Sequence, residues 1–263
     1  MSYLWCIDHD GTASYGDIGR DYLCSLIGLT SEEFVDVVKN IRRDEDYKNE
    51  ILKGGRYEEG LELAMLLAYN SVLQDDVRRS GENAENSLRK GFTEFLTRSE
   101  RGRVIIFSAG VQDWLMHFYM KNFPNTNFDV VGTSLHVDEA GRYSSIKKPC
   151  GRMSKPDRIK DVLKGMNGHC IPKVGVGDSN GDRKMFDYVL KEDGLTIGIS
   201  NGIEGDLNFS EDTDWYGPWF AGELYVDLMM NGKYAGNKRE VLKQVRGRVG
   251  EMFYDDKLRR AVG

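Results

Sequence analysis

YLWCIDHDGT, residues 3–12, is the stretch that sets the fold of this chain. Its first half is a short, continuous run of aromatic and branched side chains, which is typical of a buried parallel strand. Its second half places Asp8 and Asp10 two residues apart at the end of that strand, so both side chains point the same way. Two carboxylates this close favour a hard cation such as Mg²⁺. A solvated Asp-Gly turn after an edge strand is the alternative.

A second predicted strand ends in small and hydroxyl side chains. RVIIFSAG, residues 103–110, is followed by a helix-like segment from Val111 to Lys121. We expect this order to place Ser108 and free backbone N–H groups at a helix N-terminus, where an anion is favoured. A plain helix cap is the alternative role for Ser108.

A third predicted strand carries two further acids. KVGVGDSNGD, residues 173–182, places Asp178 and Asp182 at the end of this strand. Lys155 precedes it in the chain, at the head of the helix-like segment from Pro156 to Leu163. The chain thus supplies acids, a hydroxyl and a lysine at the ends of predicted strands or helices.

Taken in this order, the four stretches resemble the signature of the haloacid-dehalogenase-like (HAD) hydrolase superfamily, most of whose members are Mg²⁺-dependent phosphatases. The resemblance covers roughly residues 3 to 200, and the first motif is matched in full. It implies that Asp8 is a nucleophile that forms an aspartyl-phosphate. It also implies that Asp10 protonates the leaving alcohol and later activates water, while its main-chain carbonyl binds the metal.

The same resemblance assigns roles to the remaining motif residues. Asp8 and Asp178 would hold Mg²⁺, with Asp182 a further ligand or a support for the ligands. Ser108, Ala109 and Lys155 would hold the phosphoryl oxygens. Asp182 has an alternative role as the cap of the helix that follows. The alternatives to Lys155 are Lys147 and Lys148.

His9 occupies a position where an apolar residue is common in the family. Side chains alternate along a strand, so we expect His9 to project to the opposite side from Asp8 and Asp10. We interpret it as a structural or orienting residue that tunes the acidity of the site.

The resemblance leaves the substrate open. GDSNGD at 177–182 and FSAG at 107–110 look nearer to pyrimidine 5′-nucleotidases. The turn KGGRYEE at 53–59 and a late hairpin look nearer to phosphoserine phosphatases.

We predict that residues 15–85 form an all-helical cap inserted after the first strand. Thr30 begins a capping box for a helix that runs toward Arg42, and a further helix is predicted to begin at Arg56. A cap over the strand ends is the nearest source of side chains that distinguish one phosphate ester from another. We therefore predict that Arg56, with Arg42 and Arg43, contacts a second anionic or polar group of the substrate.

Arg42 and Arg43 also have a simpler interpretation. The pair precedes Asp44 and Glu45 in the sequence, so the four side chains can form a solvated, neutralised helix end.

Residues 1–14 and 86–263 are predicted to form the core of the protein. Strand-like Asp129 to Val137 and the returning Arg142 to Ser144 predict a hairpin at the edge of the sheet. Another strand is predicted at 195–200, and strands alternate with helices throughout. The predicted fold is therefore α/β, a doubly wound three-layer parallel sheet with a Rossmann-like core.

The segment 201–263 is predicted to be an additional helical tail. Trp215, Tyr216, Trp219 and Phe220 cluster in its sequence. Helices that dock on the core explain this cluster, and a homodimer contact or a wall of the substrate entrance is the alternative.

Composition narrows the class of protein. A net charge of −6 and a pI near 5.4 argue against a nucleic-acid binder. No apolar run approaches eighteen residues and no signal-peptide pattern opens the chain, so we expect a cytoplasmic protein without membrane contact. The four cysteines have no zinc-like or redox-like spacing and are expected to be reduced: Cys6, Cys24, Cys150 and Cys170.

These observations predict a Mg²⁺-dependent phosphomonoesterase that hydrolyses a small soluble phosphorylated metabolite through an aspartyl-phosphate. Two alternatives stay open at this point. A phosphotransferase or mutase would use the same intermediate, and a catalytically silent binding protein would keep the fold alone.

Overall fold

The structure of this chain is a computed structural model, which describes residues 4–52, 57–98, 102–164, 173–199, 207–208, 217–233 and 235–248. Within these residues one sheet contains seven strands, in the order β4-β3-β2-β1-β5-β6-β7. In chain order the strands are β1 (Leu4–Asp8), β2 (Arg103–Val111), β3 (Asp129–Val137), β4 (Tyr143–Lys148), β5 (Lys173–Gly177), β6 (Leu195–Gly198) and β7 (Leu207–Asn208). All neighbouring pairs are parallel except β3 with β4, which form the predicted edge hairpin.

Helices alternate with the strands in the described part of the chain. They are α1 (Ile18–Ser25), α2 (Ser31–Arg43), α3 (Glu45–Leu52), α4 (Glu62–Tyr69), α5 (Gln74–Asn83), α6 (Lys90–Thr97), α7 (Gln112–Asn122), α8 (Lys155–Lys164), α9 (Arg183–Lys191) and α10 (Gly217–Asn231). A further helical segment covers residues 238–248. Among the described helices, none combines the length and the apolar character that crossing a membrane requires.

Side chains of the central strand divide the interior into two layers. Trp5 and Ile7 pack in one hydrophobic core with residues of α6, α7 and α10. Leu4 and Cys6 point to the other face and pack with residues of α8 and α9. Because strand side chains alternate, a sheet covered on both faces needs such an unbroken apolar run. The predicted α/β three-layer fold is confirmed.

Two predicted helix starts in the inserted segment have different outcomes. At α2, Thr30 and Glu33 form the predicted capping box, since each side chain bonds the backbone N–H of the other. The predicted start at Arg56 falls outside the described residues, and 57–61 is not helical, because α4 begins at Glu62. The carboxylate of Glu62 accepts from the Gly60 N–H at 2.8 Å, which holds this segment as a turn around it.

The inserted segment contacts the rest of the molecule at several places. Its two connections pair with each other, with an antiparallel bridge between Ser14 and Leu88. Helix α5 also packs on α7, where a side chain at Gly81 would collide with the backbone carbonyl of Trp114. Helices α2, α3 and α4 share a separate apolar cluster. The predicted division into a core and a 15–85 cap stays an interpretation. Within the predicted cap, α5 packs against α7, which belongs to the predicted core.

Helix α10 packs against α6 on one face of the sheet. Trp219 is buried, and its ring lies 4.9 Å from Phe92 and 5.3 Å from Phe95 between centroids. This residue therefore packs in the core, as the first interpretation of the tail expects. Trp215 and Tyr216 lie outside the described residues.

Candidate active site

The carboxyl ends of three neighbouring strands meet at one edge of the sheet. Strand β1 lies between β2 and β5, and Asp8 is opposite Phe107. Parallel strands in register end side by side, so Ser108 and Asp178 follow at the same edge. Stretches that are far apart in the sequence are thus adjacent in the fold.

The turn after β1 requires a glycine. Residues His9–Ala13 form a tight turn in which Gly11 has φ +76°, a conformation that L side chains rarely adopt. A Cβ at Gly11 would also lie 2.7 Å from the Asp178 carboxyl carbon. The next residue, Thr12, donates to Asp178 Oδ1 at 3.1 Å. The turn therefore holds Asp178, which follows β5, close to Asp8 and Asp10 at the end of β1.

Lys155 is the cation of this edge. Its Nζ lies 2.5 Å from Asp8 Oδ1 and 2.5 Å from Asp182 Oδ1, and the side chain is buried. Burial disfavours its charge, but Asp182 and Asp8 outweigh burial and hold the pKa of Lys155 above its usual range. Lys147 and Lys148 instead occupy exposed positions of β4. Of the lysines considered from the sequence, Lys155 is the one beside Asp8.

The acids at this edge resist ionisation together. Burial, followed by the charge of Asp182, raises the pKa of Asp8 well above its usual value. Burial, then Asp17 and Asp8, raises the pKa of Asp10 likewise. Burial and Asp182 also raise the pKa of Asp178. One lysine does not neutralise this many carboxylates, so the edge favours a second cation or bound protons.

Asp182 is tied to its neighbours through both carboxylate oxygens. Oδ1 accepts from Lys155, and Oδ2 accepts from the backbone N–H groups of Asp178 at 3.2 Å and Ser179 at 3.3 Å. Gly177 leaves the room for this contact, because its Cβ would lie 2.6 Å from the Asp182 Cβ. The carboxylate makes no capping bond to α9 itself; its bond from the Ser179 N–H instead closes a capping box on the short helical turn Asn180–Asp182 that precedes α9.

Ser108 has different surroundings from those predicted. Strand β2 continues to Val111 and α7 begins only at Gln112, so Ser108 does not lie at the helix N-terminus and does not cap it. Its hydroxyl donates to Asp10 Oδ2 at 3.2 Å and accepts from the Gly110 N–H at 2.9 Å. Ser108 is nonetheless beside the acids, because the strand itself carries it there.

Three carboxylates at this edge fit a hard metal ion. Oxygen atoms of Asp8, Asp178 and Asp182 all lie within 4.8 Å of one another. The group offers oxygen ligands only, which is the chemistry that Mg²⁺ prefers.

Solved structures of other proteins share the fold that carries this site. No protein-family description matches the sequence, and no curated protein does. Among solved structures, gene product AF1437 from Archaeoglobus fulgidus matches with TM-score 0.64 and 19% identity over 93% of this chain and 87% of the other. A substrate-bound phosphoserine phosphatase matches with TM-score 0.55 and 16% identity over 80% and 94%.

Two further matches name related enzymes. Cytosolic 5′-nucleotidase IIIB bound to cytidine matches with TM-score 0.53 and 16% identity over 74% of this chain and 72% of the other. A HAD family hydrolase from Salmonella enterica serovar Typhi matches with TM-score 0.52 and 13% identity over 74% of this chain, which spans only 61% of that protein. The chain therefore shares its fold with these structures, which include a HAD family hydrolase and a phosphoserine phosphatase. The resemblance stated from the motifs is confirmed at this level.

One residue that joins the inserted segment to α8 was not singled out from the sequence. Glu58 accepts from the backbone N–H groups of Met153 at 2.5 Å and Ser154 at 2.9 Å, and from the Ser154 hydroxyl at 3.0 Å. These donors directly precede Lys155, the first residue of α8. Glu58 stands in the turn quoted for its family likeness, but no sequence signal pairs it with a helix 96 residues away.

The predicted specificity arginines lie in unlike surroundings. Arg42 contacts Glu62 at 2.9 Å and Glu59 at 3.2 Å, so its partners are not Asp44 and Glu45. The solvated helix end is therefore the wrong interpretation of Arg42, because α4 and the turn before it supply the nearer carboxylates.

Arg43 is exposed, and Arg56 lies outside the described residues. A substrate contact by any of the three arginines stays a prediction.

His9 is buried under α7. Its Nδ1 lies 2.8 Å from the Tyr119 hydroxyl, and burial, with a smaller effect of Lys155, lowers the pKa of His9 to about 3. The chain turns directly after β1, so His9 Nε2 lies 3.7 Å from Asp10 Oδ1. The expectation that these two side chains point to opposite sides is therefore wrong, because strand alternation ends at Asp8.

Proposed function

We propose that this protein is a Mg²⁺-dependent phosphomonoesterase that hydrolyses a small soluble phosphorylated metabolite through an aspartyl-phosphate. One observation carries the proposal: Asp8 sits among Asp178, Asp182 and Lys155, with the lysine 2.5 Å away and the carboxylates within 4.8 Å of one another. A phosphate ester brings negative charge, so it needs the cations that this edge gathers.

The residues suggest a two-step displacement. In the first step an oxygen of Asp8 attacks phosphorus, the bond from phosphorus to the ester oxygen breaks, and the proton of Asp10 passes to the leaving oxygen. In the second step Asp10 takes a proton from water as the water oxygen attacks phosphorus, which releases inorganic phosphate and restores Asp8. The raised pKa of Asp10 supports its role as an acid near neutral pH.

The phosphoryl oxygens would be held by this chain's own donors. Lys155 supplies a charged donor, Ser108 a hydroxyl, and Ala109 a backbone N–H at the end of the motif. The Ser108 hydroxyl, which here donates to Asp10, would turn to a phosphoryl oxygen when a substrate binds.

Asp8, Asp178 and the main-chain carbonyl of Asp10 are the residues that would hold Mg²⁺. When bound, the ion neutralises charge on the phosphoryl group. Asp182 would support this set by holding Lys155 and the backbone N–H of Asp178 in place.

A screen of phosphorylated metabolites for phosphate release tests the proposal. The protein is assayed with Mg²⁺ and after exhaustive chelation, beside an Asp8→Asn variant as the control for contaminating phosphatases. We expect release that requires both Mg²⁺ and Asp8. Release that survives chelation contradicts the metal role, and release by the variant contradicts the covalent step. An added acceptor alcohol that captures the phosphoryl group in preference to water would instead indicate a phosphotransferase.

We further propose a cytoplasmic protein whose partner is a small phosphate ester rather than nucleic acid or a membrane. The net charge of −6 supports the first exclusion. A homodimer through the C-terminal tail also stays a proposal, although Trp219 is buried within the chain itself.

A further inference from the structure

The turn after β1 holds two buried polar atoms that lack a hydrogen-bond partner among the described residues. They are His9 Nε2 and Asp10 Oδ1, and they lie 3.7 Å apart. Leaving a buried donor or acceptor unpaired is costly, so two such atoms side by side call for an explanation. This distance is slightly longer than a hydrogen bond, and a small rotation of the Asp10 carboxyl group would bring the two atoms within hydrogen-bond distance.

The other ring nitrogen of His9 indicates which of the two atoms is the donor. Tyr119 is buried, and its hydroxyl lies 2.8 Å from His9 Nδ1. If this hydroxyl donates to Nδ1, a neutral imidazole must carry its hydrogen on Nε2. Nε2–H is then a donor directed at an acceptor, Asp10 Oδ1.

Aromatic rings hold the imidazole in this orientation. The His9 ring lies 6.0 Å from Phe118 and 5.4 Å from Tyr119 between centroids, both edge to face, and 6.4 Å from Trp114. All three aromatic residues belong to α7, so one helix fixes both the ring plane and the hydroxyl partner.

We propose that Tyr119 and His9 form a positioning chain for the acid of the reaction. The Tyr119 hydroxyl donates to His9 Nδ1, and His9 Nε2–H donates to Asp10 Oδ1 once the carboxyl group rotates. This leaves Asp10 Oδ2 as the oxygen that carries the proton to the leaving group. His9 itself gives up no proton and touches no substrate, so it acts only through Asp10.

Ser108 gives this division of the two oxygens a second support. In the structure its hydroxyl donates to Oδ2, not to Oδ1. A phosphoryl group that takes over the Ser108 hydroxyl would free Oδ2, while Oδ1 stays bonded to His9. The inference rests on the proposed function, because it concerns the acid in that reaction.

The test compares Tyr119→Phe with Tyr143→Phe. Both tyrosines are buried and both hydroxyls bond a side chain, but Tyr143 bonds Asp113 at 2.7 Å, away from the acids. For each variant, kcat/KM is measured for alkyl phosphates and for an aryl phosphate with an acidic leaving group. We expect Tyr119→Phe to lower the alkyl value by about 3- to 10-fold, the usual effect of one hydrogen bond, and the aryl value by less. Tyr143→Phe should change both values by one common factor.

A double-mutant cycle separates positioning from packing. In an Asp10→Asn background, Tyr119→Phe should no longer change the ratio of alkyl to aryl values, since the acid is already absent. His9→Gln, which keeps a donor, should retain more of the alkyl activity than His9→Leu. An unchanged ratio in Tyr119→Phe itself, or the same ratio change in the Asp10→Asn background, overturns the inference. Wild-type protein that releases no phosphate, or an Asp8→Asn variant that still does, would instead overturn the proposed function.

Discussion

Two clusters of charged side chains in this molecule differ in how their charges balance. At the edge of the sheet, Asp8, Asp178 and Asp182 share a single lysine, Lys155, and the cluster is largely buried. Where the inserted segment meets the residues before α8, carboxylates and guanidinium groups alternate in equal number, and three of the four side chains are partly exposed. The members of this second cluster are Arg42, Glu59, Glu62 and Arg152.

The balance of charge distinguishes a reactive cluster from a structural one. Buried like charges without enough counter-charge cost free energy, and a fold retains them where they serve chemistry. A balanced and partly exposed cluster stabilises the local fold without that cost. The imbalance of charge at the strand edge therefore supports the proposed reaction there, whereas the balanced cluster around Arg42 fits a structural role.

The largest expected effect is that of Asp8→Asn. Loss of the nucleophile should lower kcat by about 10⁴-fold or more, the range seen when a covalent catalyst is removed. Removing one charge from an acid-rich cluster should not lower the Tm of the metal-free protein, because burial already raises the pKa of Asp8. Phosphate release and thermal unfolding measured on one preparation check both parts. A large fall in Tm would assign Asp8 to the fold rather than to the reaction.

Lys155→Met should be next in size. Two buried carboxylates would lose their shared cation, which should lower the free energy of unfolding by about 3–5 kcal/mol and kcat/KM by about 10²-fold or more. Lys160→Met on the same helix is the matched control, since Lys160 is exposed and contacts Asp157 at 3.0 Å and the face of the Tyr188 ring at 5.8 Å. The control should stay within about 0.5 kcal/mol of wild type. If urea unfolding shows the same loss of free energy for the two variants, the buried contacts of Lys155 with Asp8 and Asp182 do not stabilise the fold more than the contacts of an exposed lysine.

A third prediction concerns pH. The pKa values of Asp8, Asp10 and Asp178 are raised, so the folded protein binds more protons than the unfolded chain between the unfolded value near 3.9 and the folded values. Within that window the free energy of unfolding of the metal-free protein falls as pH rises. The raised pKa of Lys155 acts in the alkaline range, and its contribution is constant at neutral pH.

Thermal unfolding in chelator from about pH 5.5 to about pH 7.5 checks this sign. We expect the Tm of the wild-type protein to fall across this range relative to that of Asp8→Asn, and added Mg²⁺ to reduce the difference. If the wild-type Tm instead rises with pH relative to that of the variant, the pKa values of these acids are not raised by the fold.

Glu58→Gln should have an intermediate effect. Its carboxylate binds the donors that precede Lys155, so loss of the charge should destabilise the start of α8 by about 0.5–2 kcal/mol and lower kcat/KM a few-fold. Glu59→Gln is the control. Glu59 is the next residue in the chain, and its carboxylate contacts the partly exposed side chains of Arg42 and Arg152 instead of the start of α8. If the two variants have the same kcat/KM, the contact from Glu58 to α8 does not support the site.

The smallest effects should separate the two arginines of α2. Arg42→Ala removes a partner of the buried Glu62 and should cost about 1–3 kcal/mol in urea unfolding. Arg43→Ala, at an exposed position, should stay within about 0.5 kcal/mol of wild type. If either arginine contacts the substrate, as the sequence predicts, the ratio of kcat/KM between substrates should change in that variant. An unchanged ratio in both variants would contradict a role of Arg42 and Arg43 in specificity.

The sequence by itself determined the α/β fold and most of the strand edge. An apolar strand that ends in Asp8 and Asp10, and others that end near Ser108 and Asp178, can be located from local pattern because strand length and residue type are local properties. Parallel order then requires these ends to meet. The structure places Lys155 beside them, and the helix start and motif spacing that indicate this lysine are also visible in the chain.

Which polar atoms pair with each other is visible only in the three-dimensional fold. The contact of Glu58 with α8, the bond of His9 to Tyr119 and the partners of Arg42 join residues that are distant in the sequence, and no local pattern encodes a distant partner. The same limit explains the error about Ser108, since β2 extends to Val111 through its pairing with Thr133 of β3. Local pattern sets where strands and helices lie, whereas the geometry of their packing sets what each polar side chain touches.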